Sequence, residues 1–140
     1  MPPTDCIFCR IARGEIPAMK VLDDDACLAF LDIAPLAEGH VLLIPKAHAQ
    51  TLDQLSADQA AAMLRHLPAL VKAVQAATGC AGVNVLQNNG KAAHQEVPHV
   101  HFHVIPRNPG DAFGFNWPAG KYPAGRAEQL VQAIQDELSR

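Results

Sequence analysis

Features that mark several common classes of protein are scarce in this sequence. Its 11 lysines and arginines are outnumbered by 14 acids, which gives a net charge of −3, and no basic block is present. Nucleic-acid grooves are built from such blocks, so we expect no nucleic-acid partner. No apolar run approaches the length that spans a bilayer, so we expect no membrane segment. The opening stretch MPPTDCIFC lacks the basic and apolar regions of a signal peptide, which predicts a cytoplasmic protein.

Cysteine is also infrequent in the chain, which has Cys6, Cys9, Cys27 and Cys80. In the cytoplasm we expect these thiols to be reduced. The chain has 140 residues, of which 49% are hydrophobic, and it contains no internal repeat or low-complexity tract. A chain of that length and composition can bury a real core, so we predict one domain over residues 1–140.

The apolar pattern predicts an α+β domain. Five short segments have the pattern of β-strands: 18–24, 26–32, 39–46, 82–88 and 98–106. The first two flank an acidic turn, and hairpin connections dominate the order of the strands. We therefore predict an antiparallel sheet of about five strands with helices packed against it.

The sequence predicts two helices, over residues 56–79 and over residues 126–140. The main helix begins with a capping box formed by Ser56 and Gln59. Pro68 lies in its interior, where a proline should kink it. The C-terminal helix is amphipathic, with an apolar stripe at Leu130, Val131, Ile134 and Leu138.

The last predicted strand reads PHVHFHVIP and carries three histidines at alternate positions. Successive strand side chains point to opposite faces, so His99, His101 and His103 share one face at steps of roughly 6.6 Å. The other face is apolar and can be buried: Val100, Phe102 and Val104. Histidine titrates near neutrality and serves as a nucleophile or a metal ligand, so this face predicts a functional site rather than an ordinary polar strand face.

A second candidate site begins at CIFC, where Cys6 and Cys9 form a C-x-x-C pair. This spacing alone leaves zinc binding, redox chemistry and two buried cysteines open. A thioredoxin-like motif needs a strand before it, and only five residues precede Cys6, which disfavours the redox interpretation. Zinc needs two further nitrogen or sulfur ligands, for which His48 and His99 are the candidates.

The segment HVHFHVI resembles the signature of the histidine triad (HIT) proteins, in which three histidines alternate with apolar residues. Three segments are similar to family segments in family order: CIFCRIARGEIPA, CLAFLDIAPLAEGHVLLIPKAH and NVLQNNGKAAHQEVPHVHFHVIPR. Together they cover residues 5–107, and the Hint-like, bacterial Hit-type branch is the most similar. Residues 108–140 form a C-terminal extension with a weaker resemblance. The resemblance implies a HIT-like fold, a homodimer and a purine nucleotide as substrate.

The resemblance further implies hydrolysis at the α-phosphate without an organic cofactor. Phosphoramidate-type nucleotides are the substrates that we expect first. His101 matches the nucleophile that forms a nucleotidyl-histidine, from which water releases a nucleoside monophosphate. His103 and His40 match phosphate contacts, Asp32 matches the acceptor of the ribose hydroxyls, and His99 completes the triad. Two further positions match the surroundings of the phosphate: Asn88 and Gln95. The matches to the apolar walls around the base are Ile7, Phe8, Phe30, Ile33 and Leu42.

Simpler roles remain open for several of these residues. The apolar ones would be core in any fold, Asp32 could cap a turn, and His40 could be a strand histidine bonded within the protein. Some bacterial-type members of the family pair the C-x-x-C with two histidines in a structural zinc site. That pattern maps to Cys6, Cys9, His48 and His99, and it makes His99 a metal ligand rather than part of the catalytic hydrogen-bond chain.

Two positions depart from the family pattern beside the phosphate loop. Residue 94 is histidine where many relatives have glycine, and residue 96 is glutamate where phosphoramidase-type relatives often have serine or threonine. His94 and Glu96 therefore put the rate and the phosphoramidate preference in question. The alternatives are a dinucleoside polyphosphate hydrolase and a nucleotide-binding interaction module with weak catalysis. His101 argues against the latter, because binding alone needs no nucleophile.

Overall fold

The structure, a computed structural model, describes residues 5–140 and contains a five-stranded antiparallel sheet. In chain order the strands are β1 (Lys20–Asp23), β2 (Cys27–Leu31), β3 (Val41–Pro45), β4 (Gly82–Gln87) and β5 (Phe102–Arg107). Their order in the sheet is β1-β2-β3-β5-β4. The α+β fold with a sheet of about five strands is therefore confirmed. Residues 1–4, which open the stretch used for the signal-peptide prediction, lie outside the described part of the chain.

Four helices accompany the sheet in the described chain: α1 (Ile7–Ala12), α2 (Ala57–Leu64), α3 (Leu67–Thr78) and α4 (Arg126–Leu138). Short 3₁₀ turns lie at Leu52–Gln54 and Lys91–Ala93. The helices α2 and α3 cover one face of the sheet, where their buried residues join the apolar cluster of the strands. The short helix α1 covers the other face, where Phe8 and Ile11 pack with residues of β2 and β3.

Burial on both faces explains why the central strand β3 is apolar throughout. Every residue of its VLLIP run is buried, and Ile44 and Leu43 are fully enclosed on opposite sides of the sheet. The edge strand β1 has no buried residue, and its side chains are more polar. The centre of the sheet is therefore the rigid part of the fold, and β5 lies directly beside β3 there.

The predicted main helix is divided into two helices rather than kinked. Its start is as predicted, because the capping box of Ser56 and Gln59 is present. α2 then ends at Leu64, and α3 begins at Leu67 with Pro68 in its first turn. Proline cannot donate to the carbonyl four residues earlier and its ring clashes there, so the helix stops and restarts. The first turn of a helix is where a missing N–H costs least.

The histidine segment enters the sheet later than predicted. β5 starts at Phe102, so His99 and His101 precede the regular ladder. The cause is a different backbone partner, because the N–H of Val100 donates to the carbonyl of Ala49, which follows β3, at 2.9 Å. The predicted division of faces nevertheless holds. The apolar members of the segment are buried on the side of α2 and α3: Val100, Phe102 and Val104.

The C-terminal helix α4 lies where the sequence predicts it, but its apolar stripe is uncovered. No residue of α4 is buried, and Val131, Ile134 and Leu138 are 54%, 57% and 81% exposed. The segment that leads to α4 also exposes aromatic side chains at Phe115 and Trp117. Among residues 5–140, no helix combines the length and apolar character needed to cross a bilayer.

Candidate functional site

A cavity of about 610 Å³ lies on the α1 side of the sheet, and most of the residues singled out in the sequence border it. Part of its lining is apolar and includes Phe8, Phe30 and Leu42. The polar residues of the lining that the sequence predicted are Asp32, His40, Asn88, His101 and His103. We call this space the site cavity. A space of this size, lined mostly by apolar side chains with a few polar groups, has the form of a small-molecule site.

Two predicted wall residues lie nearer to solvent than the others. Ile7 and Ile33 border the site cavity but are exposed, and Ile33 has 94% of its surface free, so both lie at the mouth. Sequence reasoning did not include Ile16 and Phe113, which also line the cavity. Phe113 belongs to the turn-rich extension, where the sequence carried no periodic signal that could have assigned it.

His101 is buried in the lining of the site cavity, and its hydrogen bond fixes the position of its proton. Its Nδ1 lies 2.7 Å from the carbonyl oxygen of His99, so Nδ1–H donates and Nε2 keeps its lone pair. The ring of Phe8 packs against the imidazole at 5.1 Å in an edge-to-face arrangement. Burial lowers the pKa of His101, partly offset by the bond to the His99 carbonyl. The ring is thus held neutral, with a free nitrogen nucleophile.

His40 and His103 form a second chain of hydrogen bonds. The backbone N–H of Leu36 donates to Nδ1 of His40 at 3.1 Å, and Nε2 of His40 lies 2.9 Å from Nδ1 of His103. For neutral rings this order leaves the proton of His103 on Nε2, as a donor. Desolvation by burial lowers the pKa of both rings, to about 4 for His103. Both nitrogens of His40 are therefore occupied within the protein, whereas His103 keeps one donor free.

Asp32 and the loop that follows β4 contribute further polar groups to the lining. One carboxylate oxygen of Asp32 accepts the N–H of Ala34 at 2.9 Å, as the turn-cap alternative proposed, and the other lies 3.8 Å from Nε2 of His40. Asn88 borders the site cavity. Gln95 does not: its amide accepts the N–H of Gly90 at 2.7 Å and donates to two carbonyls, so it fixes the shape of its own loop.

Cys6, Cys9, His48 and His99 form a cluster, although His48 and His99 are far from the cysteines in sequence. The Nδ1 of His99 lies 3.4 Å and 3.5 Å from the two sulfur atoms. The Nδ1 of His48 lies 3.2 Å from Cys9 Sγ and 3.2 Å from His99 Nδ1. Tetrahedral zinc with bonds of about 2.3 Å to sulfur and about 2.05 Å to nitrogen requires separations of about 3.3–3.6 Å for such pairs. The donor set therefore fits zinc in chemistry and in size.

The protonation of the cluster also suits a cation. The Nε2 of His99 donates to the carbonyl of Pro45 at 2.8 Å, which leaves Nδ1 without a proton and directed at the sulfur atoms. Burial and, to a smaller extent, the neighbouring Cys6 together raise the pKa of the Cys9 thiol to about 11. A bound cation would reverse that effect and stabilise the thiolates. His48 is half-buried against Cys9, whereas two buried cysteines without a metal would leave it exposed to solvent.

Comparison with known proteins identifies the family. The sequence-family model of the HIT domain matches residues 13–110 of this chain. Adenosine 5′-monophosphoramidase hnt1 of Schizosaccharomyces pombe is 47% identical over 135 residues, which cover 96% of each chain. Adenylylsulfatase HINT3 of Arabidopsis thaliana is 47% identical over 137 residues, which cover 96% of this chain and 70% of the relative.

Solved structures agree with these matches. A member of the HIT family from Bacillus subtilis superposes with a TM-score of 0.90 at 36% identity, over 94% of this chain and 96% of the other. A zinc-bound histidine triad family protein from Mycobacterium smegmatis gives a TM-score of 0.73 at 34% identity, over 96% and 97% of the two chains. The family-model match and the relatives identical at 47% over almost the whole chain show that this chain belongs to the HIT family.

Proposed function

We propose that the protein hydrolyses purine nucleotides at the α-phosphate through a nucleotidyl-histidine on His101, with phosphoramidate-type nucleotides as substrates. The observation that carries this proposal is the neutral imidazole of His101, whose Nδ1–H is bound to a carbonyl and whose Nε2 is free. The names of the two relatives, a monophosphoramidase and an adenylylsulfatase, support the class of reaction.

Two displacements at phosphorus make up the reaction. The Nε2 of His101 attacks phosphorus, a P–Nε2 bond forms, and the bond to the leaving group breaks with its electron pair going to the leaving atom. Water then attacks the same phosphorus, a P–O bond forms as the water loses a proton to solvent, and the electron pair of the P–Nε2 bond returns to the imidazole. In both steps negative charge develops on the phosphoryl oxygens. The free Nε2–H of His103 is the donor we assign to those oxygens.

The apolar and polar parts of the lining of the site cavity suggest how a nucleotide is held. The apolar side chains take the base, against Phe8, Phe30 and Leu42. The free oxygen of Asp32 takes the ribose hydroxyls, since its other oxygen is bound to Ala34. These contacts would leave the α-phosphate at the histidines. His40 acts through His103 rather than on the phosphate, because both of its nitrogens are occupied.

A panel of purine nucleotides tests the proposal. Wild-type protein should release adenosine or guanosine monophosphate from the phosphoramidates, and His101→Ala should lower that rate by about 10² or more, as expected for a lost catalytic group. The variant should still bind the monophosphate, because most ground-state contacts remain. Turnover confined to dinucleoside polyphosphates would instead favour the alternative of a dinucleoside polyphosphate hydrolase, which has a larger leaving group. Affinity without turnover in the wild type would favour a binding module.

We also propose that the cluster formed by Cys6, Cys9, His48 and His99 holds a structural zinc ion. The four protein ligands complete a tetrahedron, so the ion would have no open position for water. The thiolates of Cys6 and Cys9 sit at the N-cap and in the first turn of α1, so the ion would fasten α1 to the sheet. Thiolates of this kind persist under reducing conditions, which supports a cytoplasmic location.

We further propose that residues 1–140 form a single domain, with the signature region at 5–107, and that the extension 108–140 joins two copies in a homodimer. The uncovered stripe of α4 supports this, because an amphipathic helix is stable in water when its apolar side is covered. Wild-type protein should have the mass of a dimer in sedimentation, and Ile134→Glu should shift it toward the monomer. A monomeric wild type at micromolar concentration would refute the homodimer.

A further inference from the structure

A second cavity, of about 590 Å³, opens beside the site cavity and shares two of its side chains, His94 and Glu96. We call it the side cavity, and its other lining includes Gln50, Lys91 and Gln95. The proposed hydrolysis yields a nucleoside monophosphate and a leaving group. The site cavity accounts for the nucleotide, whereas the leaving group needs space next to the histidines. The side cavity is the adjoining space that can take it.

The junction of the two cavities carries a negative charge. Glu96 is exposed and takes part in none of the ion pairs of the described residues. Its side chain lines the site cavity together with His101 and His103. Lys91 borders the side cavity alone, and His94 borders both. The lysine cation therefore borders only the side cavity, whereas the carboxylate also borders the cavity that holds the reacting histidine.

The loop holds Glu96 at the junction by backbone constraints on either side. His94 has φ 67°, and it is the one residue other than glycine in the described chain with a positive φ. Such a conformation is unfavourable for a residue with a Cβ and marks a position that the surroundings enforce. Gln95 then closes the loop through the N–H of Gly90 at 2.7 Å and the carbonyl of Val97 at 3.0 Å. The carboxylate therefore projects from a fixed backbone.

We propose that Glu96 is a specificity-determining residue that favours substrates with an amine as leaving group over substrates with an anion such as sulfate. This inference rests on the proposed function. The leaving nitrogen first takes a proton from solvent and becomes a cation. When Nε2 of His101 then displaces it, the P–N bond breaks and the nitrogen keeps the electron pair, so that a neutral amine departs. The carboxylate accepts the N–H groups and stabilises the positive charge of the protonated nitrogen during the attack. A departing sulfate gains negative charge and is repelled.

The ratio of two rates tests this assignment. The kcat/KM for adenosine 5′-phosphoramidate is divided by that for adenosine 5′-phosphosulfate, both measured by release of adenosine monophosphate. In Glu96→Gln we expect the ratio to fall by about tenfold, the effect of one charge near a partly solvated reaction. Glu96→Asp keeps the charge and should keep most of the ratio. Asp58→Asn removes one acid from the exposed side of α2, and it should leave the ratio unchanged.

An unchanged ratio in a folded Glu96→Gln protein would overturn the inference, and so would an equal fall in Asp58→Asn, which would indicate net charge alone. A loss of phosphosulfate turnover in Lys91→Gln, without an effect of Glu96→Gln, would assign the side cavity to anions and also overturn it. Melting curves establish that each variant is folded. If the wild type releases monophosphate from neither substrate, the proposed function itself fails. That outcome differs from one in which the wild type turns over both substrates and the ratio does not depend on Glu96.

Discussion

Removal of zinc from the proposed site is the perturbation that tests most directly how α1 is held to the sheet. α1 has six residues, too few to be stable alone, and it packs on the sheet through Phe8, Cys9 and Ile11. Cys9 is 3% exposed and contacts both histidines of the cluster. A metal bound there exists only in the folded chain, so its binding free energy appears as folding stability.

The magnitude follows from mass action. If free zinc is at about a thousand times its dissociation constant, binding adds about 4 kcal/mol to the free energy of unfolding. For a chain of about this length each kcal/mol is worth about 2–4 °C of Tm, so chelation should lower Tm by roughly 8–16 °C. Cys9→Ser removes one of four ligands and should lose most of this increment even when zinc is present.

The assay combines elemental analysis with thermal melting of protein purified without a metal-affinity tag. We expect about one zinc per chain in the wild type. Cys80→Ser is the matched control, because Cys80 is half-buried outside the cluster and should leave zinc content and Tm unchanged. Protein that contains no metal and melts at the same temperature with and without chelator would refute the zinc site. The buried-cysteine alternative would then stand.

Two further predictions concern acids on either side of the sheet. If Asp32 accepts the ribose hydroxyls, 2′-deoxy substrates should lose about 1–3 kcal/mol of transition-state binding, and equal kcat/KM values for the ribose and deoxyribose forms would contradict that role. Asp24 accepts the N–H groups of Cys27 and Ala26 at 2.9 Å and lies 2.8 Å from Nε2 of His66, and the two backbone bonds hold its pKa well below the usual 3.8. A carboxylate whose pKa is lower in the folded state stabilises the protein at pH values above its unfolded-state pKa. This stabilisation is lost as the pH falls through the folded-state pKa. Asp24→Asn should therefore cost about 1.5–3 kcal/mol near neutral pH, and urea unfolding should show this difference shrinking below about pH 4; a difference independent of pH would refute the role of the charge.

The alternation of histidine with apolar residues predicted the division of faces around β5. Period-two spacing is a local property of extended chain, and it holds even for His99 and His101, which lie before the regular ladder. The same pattern could not give the start of β5, because that depends on Ala49, a backbone partner about fifty residues away in the chain. The break before Pro68 was likewise underestimated, since a kink and a restart have the same sequence signal.

The ring nitrogen that carries the proton in each histidine could not be predicted from the sequence, for a different reason. Which nitrogen carries the proton is decided by backbone groups of residues that are chemically unremarkable: the N–H of Leu36 and the carbonyls of Pro45 and His99. Sequence patterns report side chains, so these partners leave no signal. The sequence offered His48 and His99 only as candidates for the two further zinc ligands, and the family resemblance favoured them, because C-x-x-C spacing does not indicate which distant histidines fold beside it.

His99 connects the two sites through different atoms. Its ring joins the cysteine cluster through Nδ1, while its carbonyl oxygen accepts the Nδ1–H of His101 at 2.7 Å. Phe8, which lies between the two cysteines in sequence, packs edge-on against the rings of both His99 and His101. A shift of α1 therefore reaches the nucleophile by two routes, the carbonyl that fixes its tautomer and the ring that limits its rotation. Preorganisation of this kind needs support behind the reacting residue, and in this fold the cysteine cluster lies where that support is required.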